Sequence, residues 1–153
     1  MDFMSDALLD GRKIRTLNIP DDFNWEALAI EVDTSLPAKR VVRTLEQLAQ
    51  WRGYPQRTRV DNGPEFISAT LATWAELHNV WLDFIRPGRP DQNAYIERFN
   101  RTYREDVLDF YLFQSLQEVR TITQQWIQTY NHDRPHDALA DLTPAAYYRI
   151  HTL

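Results

Sequence analysis

The 153-residue chain is 43% apolar, 12% aromatic and 25% charged, the profile of one soluble globular domain spanning residues 1–153. It contains no cysteine, which excludes disulfides and thiolate metal sites and leaves carboxylate, imidazole or carbonyl donors, groups that favour hard cations. A formal charge of −5, taken alone, argues against a polyanionic partner; no stretch approaches the roughly 20 apolar residues of a membrane helix, and Met1–Asp6 has no basic region followed by an apolar run.

Asp2-Phe3-Met4-Ser5-Asp6 reads as a short strand, and Asp10-Gly11 as the dipeptide that closes a hairpin onto a second strand over Lys13–Ile19. Pro20-Asp21-Asp22 turns the chain into a third strand near Ala27–Val32, completing a meander. Thr34 or Ser35 is expected to cap a helix with Pro37 in its first turn, its apolar face running from Val41 to Ala49 and its stop at Gly53. A fourth strand, Arg57–Val60, enters Asp61-Asn62-Gly63-Pro64, and helical spacing follows from Phe66 to Leu77. A fifth strand over Val80–Ile85 leads into the loop Arg86-Pro87-Gly88-Arg89-Pro90. Two long helices are expected next, Gln92–Leu108 and Leu116–Tyr130, then a loop from Asn131 to His136 and a last short helix opened by Thr143-Pro144. The order predicts an α/β domain with a mixed five-stranded sheet flanked by helices. In such sheets polar groups at the carboxyl ends of adjacent strands converge on one crevice, and Asp61 sits at such an end.

The charge is segregated. Residues 1–33 hold three bases and eight acids, residues 39–59 six bases and one acid, and residues 86–104 five arginines and two acids. Solvation of helix faces accounts for most such runs, so the carboxylates must carry the argument. In the helix after the Pro/Gly loop, Asn93, Glu97, Arg101 and Arg104 share one stripe, with Tyr95, Ile96, Phe99 and Tyr103 opposite. Glu97 and Arg101 read equally well as an i,i+4 ion pair and as a carboxylate and a cation set beside a phosphate chain. Asp61 reads either as part of an Asn-Gly turn or as a carboxylate exposed at the sheet rim. Acidic pairs at the Asp61–Glu97 separation are common enough by chance that spacing alone decides nothing.

Val60-Asp61-Asn62-Gly63-Pro64-Glu65-Phe66, then thirty-five residues between Asp61 and Glu97, then Asn93-Ala94-Tyr95-Ile96-Glu97-Arg98-Phe99-Asn100-Arg101 closely resembles the catalytic core of insertion-sequence transposases of the retroviral-integrase superfamily, closest to the insertion-element-three family. Met1-Asp2-Phe3, Asp21-Asp22-Phe23, Pro87-Gly88, Tyr130-Asn131, Arg134-Pro135-His136 and Thr143-Pro144 extend the likeness over nearly the whole chain. The resemblance implies an RNase H-like fold with an Asp-Asp-Glu triad at Asp2, Asp61 and Glu97, holding two magnesium or manganese ions. Asp2, rather than Asp6, Asp21 or Asp22, occupies the strand-one motif. It implies metal-dependent DNA 3′-end cleavage and strand transfer, a homo-oligomer acting on element ends and target DNA, and a bacterial, cytoplasmic setting. Asn62, Asn93, Arg98, Arg101 and Arg104 are the candidates for placing DNA. Nothing resembles the family's helix-turn-helix, so the sequence reads as a core without the N-terminal DNA-binding region.

No protein general base is required in this chemistry, so His78, His132, His136 and His151 read as surface or packing residues. Trp25, Trp51, Trp74, Trp81 and Trp126 read as core or subunit-interface residues. Two rival readings are another nuclease of the same fold, such as a ribonuclease H or junction resolvase, and a non-catalytic DNA-binding or assembly module.

Overall fold

Strand patterning in the first 33 residues builds an antiparallel meander in the computed structural model, which describes residues 1–86 and 88–152. Strand β1 (Asp2–Ala7) pairs with β2 (Lys13–Pro20), which pairs with β3 (Ala27–Asp33). The Asp10-Gly11 turn closes as expected, with the Leu8 N–H donating to the Arg12 carbonyl at 2.8 Å. Helix α1 (Ala38–Arg52) takes Pro37 itself as N-cap without a side-chain cap, so neither Thr34 nor Ser35 caps it. It ends where Gly53, at φ +86°, adopts a conformation other residues resist and donates back to Ala49.

Strand β4 (Arg57–Val60) and β5 (Trp81–Phe84) form a parallel pair across helix α2 (Ala69–Leu77). This helix starts three residues later than the apolar spacing suggests. Ser68 caps it by accepting from Leu71, while Phe66 is buried in the preceding turn, stacked on Phe3 with centroids 4.9 Å apart. The five expected strands thus fall into two hydrogen-bonded groups, which meet where the Met1 nitrogen donates to the Arg59 carbonyl at 2.7 Å. Pro87 of the expected Pro–Gly loop lies outside the described residues.

The first long helix predicted is divided. A 3-10 turn over Pro90–Asn93 leads into α3 (Ala94–Tyr103), and the wider π-turn Arg104–Leu108 follows, with the Asp109 N–H donating five residues back to Arg104 at 2.8 Å. Helix α4 (Leu116–His132) is capped by Ser115 and absorbs Asn131 and His132, which sequence placed in a loop. Asn131 is a clamp: its side chain accepts from the Ala27 N–H at 2.8 Å and donates to the Ala27 carbonyl at 3.0 Å, tying the end of α4 to the start of β3. Thr143 caps the last helix, α5 (Pro144–His151), as expected.

Both faces of the meander are covered. Ile14, Ile30 and Val32 pack against Ile96, Phe99 and Tyr103 of α3 and Val119, Ile127 and Tyr130 of α4. Leu17 and Ile19 face the other way, toward Val41 and Leu45 of α1, Val60 of β4, and Leu71 and Trp74 of α2. Each such fully buried side chain contributes about 1.5–3 kcal/mol relative to exposure. Trp74 joins this core, whereas Trp81 is exposed on β5 beneath the Arg57 guanidinium. Among the described residues no helix is long and apolar enough to cross a membrane.

Candidate active site

Asp2 opens β1 directly opposite Asn18 of β2. Its Oδ1 accepts from the Phe3 N–H at 2.9 Å and its Oδ2 from the Asn100 amide at 2.9 Å. Asp61 follows the last residue of β4 and accepts from the Gly63 N–H at 2.8 Å, folding the turn back over its own carboxylate. A Cβ on residue 63 would stand 3.0 Å from Asp61 Oδ1, so any larger residue there would press on the carboxylate. Burial raises the Asp2 pKa above the usual carboxylate value; the Phe3 N–H opposes the rise and the adjacent Asp61 carboxylate adds to it. Two acids from strands far apart in sequence therefore share one site.

Glu97 is exposed in the first turn of α3. Its helix lies along β1: Asn100 reaches Asp2, and Arg104, one turn on, donates to the Ser5 carbonyl at 2.9 Å. Glu97 precedes Asn100 by one turn on the same face, so it stands at the Asp2 end of β1. Among the described residues, no three acidic or imidazole side chains converge as a ready metal cluster. The structure thus joins Asp2 to Asp61 and sets Glu97 on the neighbouring helix face. The other candidates for the first carboxylate are engaged by arginines: Asp6 is 3.6 Å from Arg104, Asp21 bonds Arg52 at 2.9 Å, and Asp22, which faces the Met1 amine beside Asp2 and Asp61, is 3.8 Å from Arg59.

The residues proposed from sequence to place DNA divide by what they touch. Arg104 is engaged by the Ser5 carbonyl and by the carboxylates of Asp6 and Asp109, each at 3.6 Å. Arg98 lies 5.7 Å from the Trp25 ring, and Asn62 ties its turn to the Ile85 carbonyl at 3.1 Å. Asn93 lines a cavity of about 340 Å³ together with Met1, Asp22, Arg59 and Tyr95. Arg101 is exposed and forms no ion pair with Glu97. Outside the acids, Arg15 bonds Glu65 and lies over the Phe3 ring at 4.1 Å, stapling the Asp61 turn to the meander. Burial alone would raise Glu65, but the Arg15 hydrogen bond and charge hold it below the usual range. His78 is tied to Glu46 at 3.0 Å and stacked on Tyr54, and His136 packs edge-on to Trp25 and Tyr130.

Sequence reasoning missed Asn100 and Asn18. The available signal was a polar side chain between Leu17 and Ile19 in a strand buried on both faces, and an amide one turn beyond Glu97.

This arrangement, an antiparallel meander and a parallel strand pair layered between helices, is the architecture of the RNase H-like fold. Two profiles, each described as integrase core domain, match residues 1–90 and 78–144, and the chain belongs to that family. It is 42% identical over 99% of its length to the insertion element IS407 uncharacterized 31.7 kDa protein of Burkholderia multivorans, covering 54% of that protein. It is also 42% identical over 96% of its length to the insertion element IS476 uncharacterized 39.2 kDa protein of Xanthomonas euvesicatoria, covering 42% of it. The chain thus spans about half the length of the curated relatives it matches. Among solved structures, the HTLV-2 integrase catalytic core domain in complex with magnesium aligns at TM-score 0.71 and 15% identity, over 95% of this chain and 94% of that one. The simian T-cell lymphotropic virus intasome in complex with PP2A regulatory subunit B56 gamma aligns at TM-score 0.74 and 14% identity, over 96% of this chain and 53% of that one. Both likenesses concern the fold.

Proposed function

We propose that the chain is the catalytic core of an insertion-element transposase that cuts DNA at the element's ends and joins the exposed 3′-hydroxyl to target DNA. The observation that carries this reading is the pairing of Asp2 with Asp61 beside the helix that bears Glu97, whose next turn grips Asp2 through Asn100. Family membership and the two insertion-element relatives support it.

The donor set fits a hard dication. Asp2, Asp61 and Glu97 offer only oxygen, the chain has no thiolate to compete, and the repulsion acting on Asp2 is what a shared dication relieves. These three residues would hold two magnesium or manganese ions, and the HTLV-2 core recorded with magnesium supports that choice of metal. Metal bound there supplies Lewis-acid charge for the nucleophile and the departing oxygen. The chain's own residues supply placement: the Phe3, Asn100 and Gly63 N–H groups fix the two aspartates, while Arg98, Arg101, Asn93 and Asn62 would seat the phosphate chain around them.

In the first step water attacks phosphorus, the P–O3′ bond breaks, and the 3′-oxygen leaves with a proton. In the second, that 3′-hydroxyl oxygen attacks a target phosphorus as the target's own P–O3′ bond breaks. One phosphoester replaces another, so joining needs no nucleotide hydrolysis. We assign element ends and target DNA as partners. A second copy of the chain is a further partner, since the HTLV-2 core is recorded in dimeric and trimeric forms. The Burkholderia and Xanthomonas relatives support a bacterial cytoplasmic setting.

The test is cleavage and joining of a labelled element-end duplex by the full-length protein in magnesium or manganese. Asp2→Asn, Asp61→Asn and Glu97→Gln are each expected to fold and to lose both products. Joining retained by Asp2→Asn but lost by Asp6→Asn would overturn the first assignment; cutting of RNA–DNA hybrid in place of element ends would overturn the reading.

A further inference from the structure

Strand β2 breaks its own pattern at the site. Its even-numbered side chains face α3, and Ile14 is apolar as that layer demands, yet Thr16 and Asn18 are polar and only 1% and 0% exposed. A buried amide without partners costs about 1–3 kcal/mol, so where its hydrogen bonds go is a full account of why it is tolerated.

They form a chain that runs one way. The Thr16 hydroxyl donates to Asn18 Oδ1 at 3.0 Å, Asn18 Nδ2 donates to Asn100 Oδ1 at 2.8 Å, and Asn100 Nδ2 donates to Asp2 Oδ2 at 2.9 Å. The Asn18 amide also donates to Met4 Sδ at 3.1 Å. A side-chain amide can face either way, but here each carbonyl end is consumed by the donor before it. Asn18 therefore keeps the donor end of Asn100 turned toward Asp2, and the Thr16 hydroxyl occupies the carbonyl end of Asn18, so that each amide is anchored at both ends. Reversing Asn100 would set its carbonyl oxygen against a carboxylate.

We propose that Asn18, oriented by Thr16, is a positioning residue that acts through Asn100 to hold the Asp2 carboxylate in the orientation its metal-binding role requires. The proposal rests on the reading of Asp2 as a metal-binding carboxylate of the transposase. Hydrogen-bond partners behind a ligand commonly govern metal affinity about 10–100-fold.

The experiment has two readouts. In the metal-free chain, NMR follows exchange of the Asn100 side-chain amide protons. In the full-length protein, strand joining is titrated with manganese. Asn18→Leu keeps the volume and removes the donor, and Thr16→Val removes only the first link. Exchange at Asn100 is expected to speed up about tenfold in Asn18→Leu and less in Thr16→Val. The manganese concentration for half-maximal joining should rise about tenfold in Asn18→Leu, with kcat at saturating manganese within about twofold. Unchanged exchange, or an unchanged manganese midpoint where the wild type joins DNA, overturns the proposal. If Asn18→Leu fails to fold, Thr16→Val decides by the same two criteria. If the wild type joins no DNA while the variants still free Asn100, the orienting chain stands and the transposase reading falls.

Discussion

Replacing Asp61 by asparagine keeps the acceptor that the Gly63 N–H needs and removes one charge from beside Asp2. Burial and Asp61 lift the folded-state pKa of Asp2, so folding holds its proton more tightly than the unfolded chain does. That penalty on the charged form is fully present above the raised folded value and fades as pH falls through it toward the unfolded value near 3.9. The metal-free wild type therefore loses stability from this pair as pH rises, and Asp61→Asn should lose less. A dication held by the folded pair, as proposed, would reverse the sign: at about a hundredfold excess over Kd it would contribute about 2.7 kcal/mol. In a domain of this length that is roughly 5–11 °C in Tm. Thermal scans at pH 7.5 with and without 10 mM magnesium or manganese, about a hundredfold excess over a Kd of roughly 10⁻⁴ M, check this. Asp61→Asn should melt at or above the metal-free wild type, and both it and Asp2→Asn should shift by less than about 2 °C on adding metal. A wild type that ignores metal, or an Asp61→Asn curve that shifts as the wild type does, refutes the shared site.

Arg101 is exposed and forms no ion pair with Glu97, so Arg101→Ala should leave stability within about 0.5 kcal/mol and flatten the slope of log affinity against log salt by about 0.9; a salt titration with an unchanged slope retires the phosphate contact. Arg15→Ala should loosen the Asp61 turn at a cost of about 1 kcal/mol, because both members of the Arg15–Glu65 pair are less than a third exposed. Since Glu65 is held below its usual range, that contribution is present above about pH 4.3 and is lost as pH falls through the depressed value; the urea midpoint of Glu65→Gln should fall further below wild type at pH 7 than at pH 3. Asn131→Ala strands the buried N–H and carbonyl of Ala27 and should cost about 2–4 kcal/mol by urea unfolding; a loss under 1 kcal/mol would mean the clamp is replaced by other partners.

Turn and cap chemistry is local, and it was readable: Asp10-Gly11, Gly53 and Thr143-Pro144 act through residues a few positions away. One local expectation failed, since Pro37 and not Thr34 or Ser35 stands at the N-cap of α1; the other failures depended on distant partners or on a change of helical pitch. Phe66 looks helical by spacing, yet it is buried against Phe3 from a turn, and Ser68 decides where α2 begins. The widening at Arg104 adds one residue to a turn and still delivers Val107 and Leu108 to the core, so apolar spacing does not betray it. The seam between β1 and β4 includes the bond between Met1 and Arg59, a pairing across 58 positions that no window along the chain contains.

The site divides along the same line. Asp61 and Gly63 are two residues apart, and the tight fit at residue 63 follows from a return of the chain onto its own carboxylate. Asp2 could be selected among its neighbouring acids only by resemblance, because what distinguishes it physically is contact with Asp61 and Asn100, 59 and 98 positions away. The stripe of Glu97, Arg101 and Arg104 is correct as helix geometry but carries no information about which end lies over which strand. Once α3 is laid along β1, Arg104 falls beside Ser5 and becomes a brace, Asn100 falls on Asp2, and Arg101 is left facing solvent. Glu97, one turn before Asn100, is then carried to the Asp2 end of the strand by the same packing of Phe99 and Tyr103 that buries the opposite face. On the transposase reading the placing of Glu97 is therefore set by the docking of one helix on one strand, and substitutions that slide α3 without touching an acid should weaken the proposed metal binding before they unfold the domain.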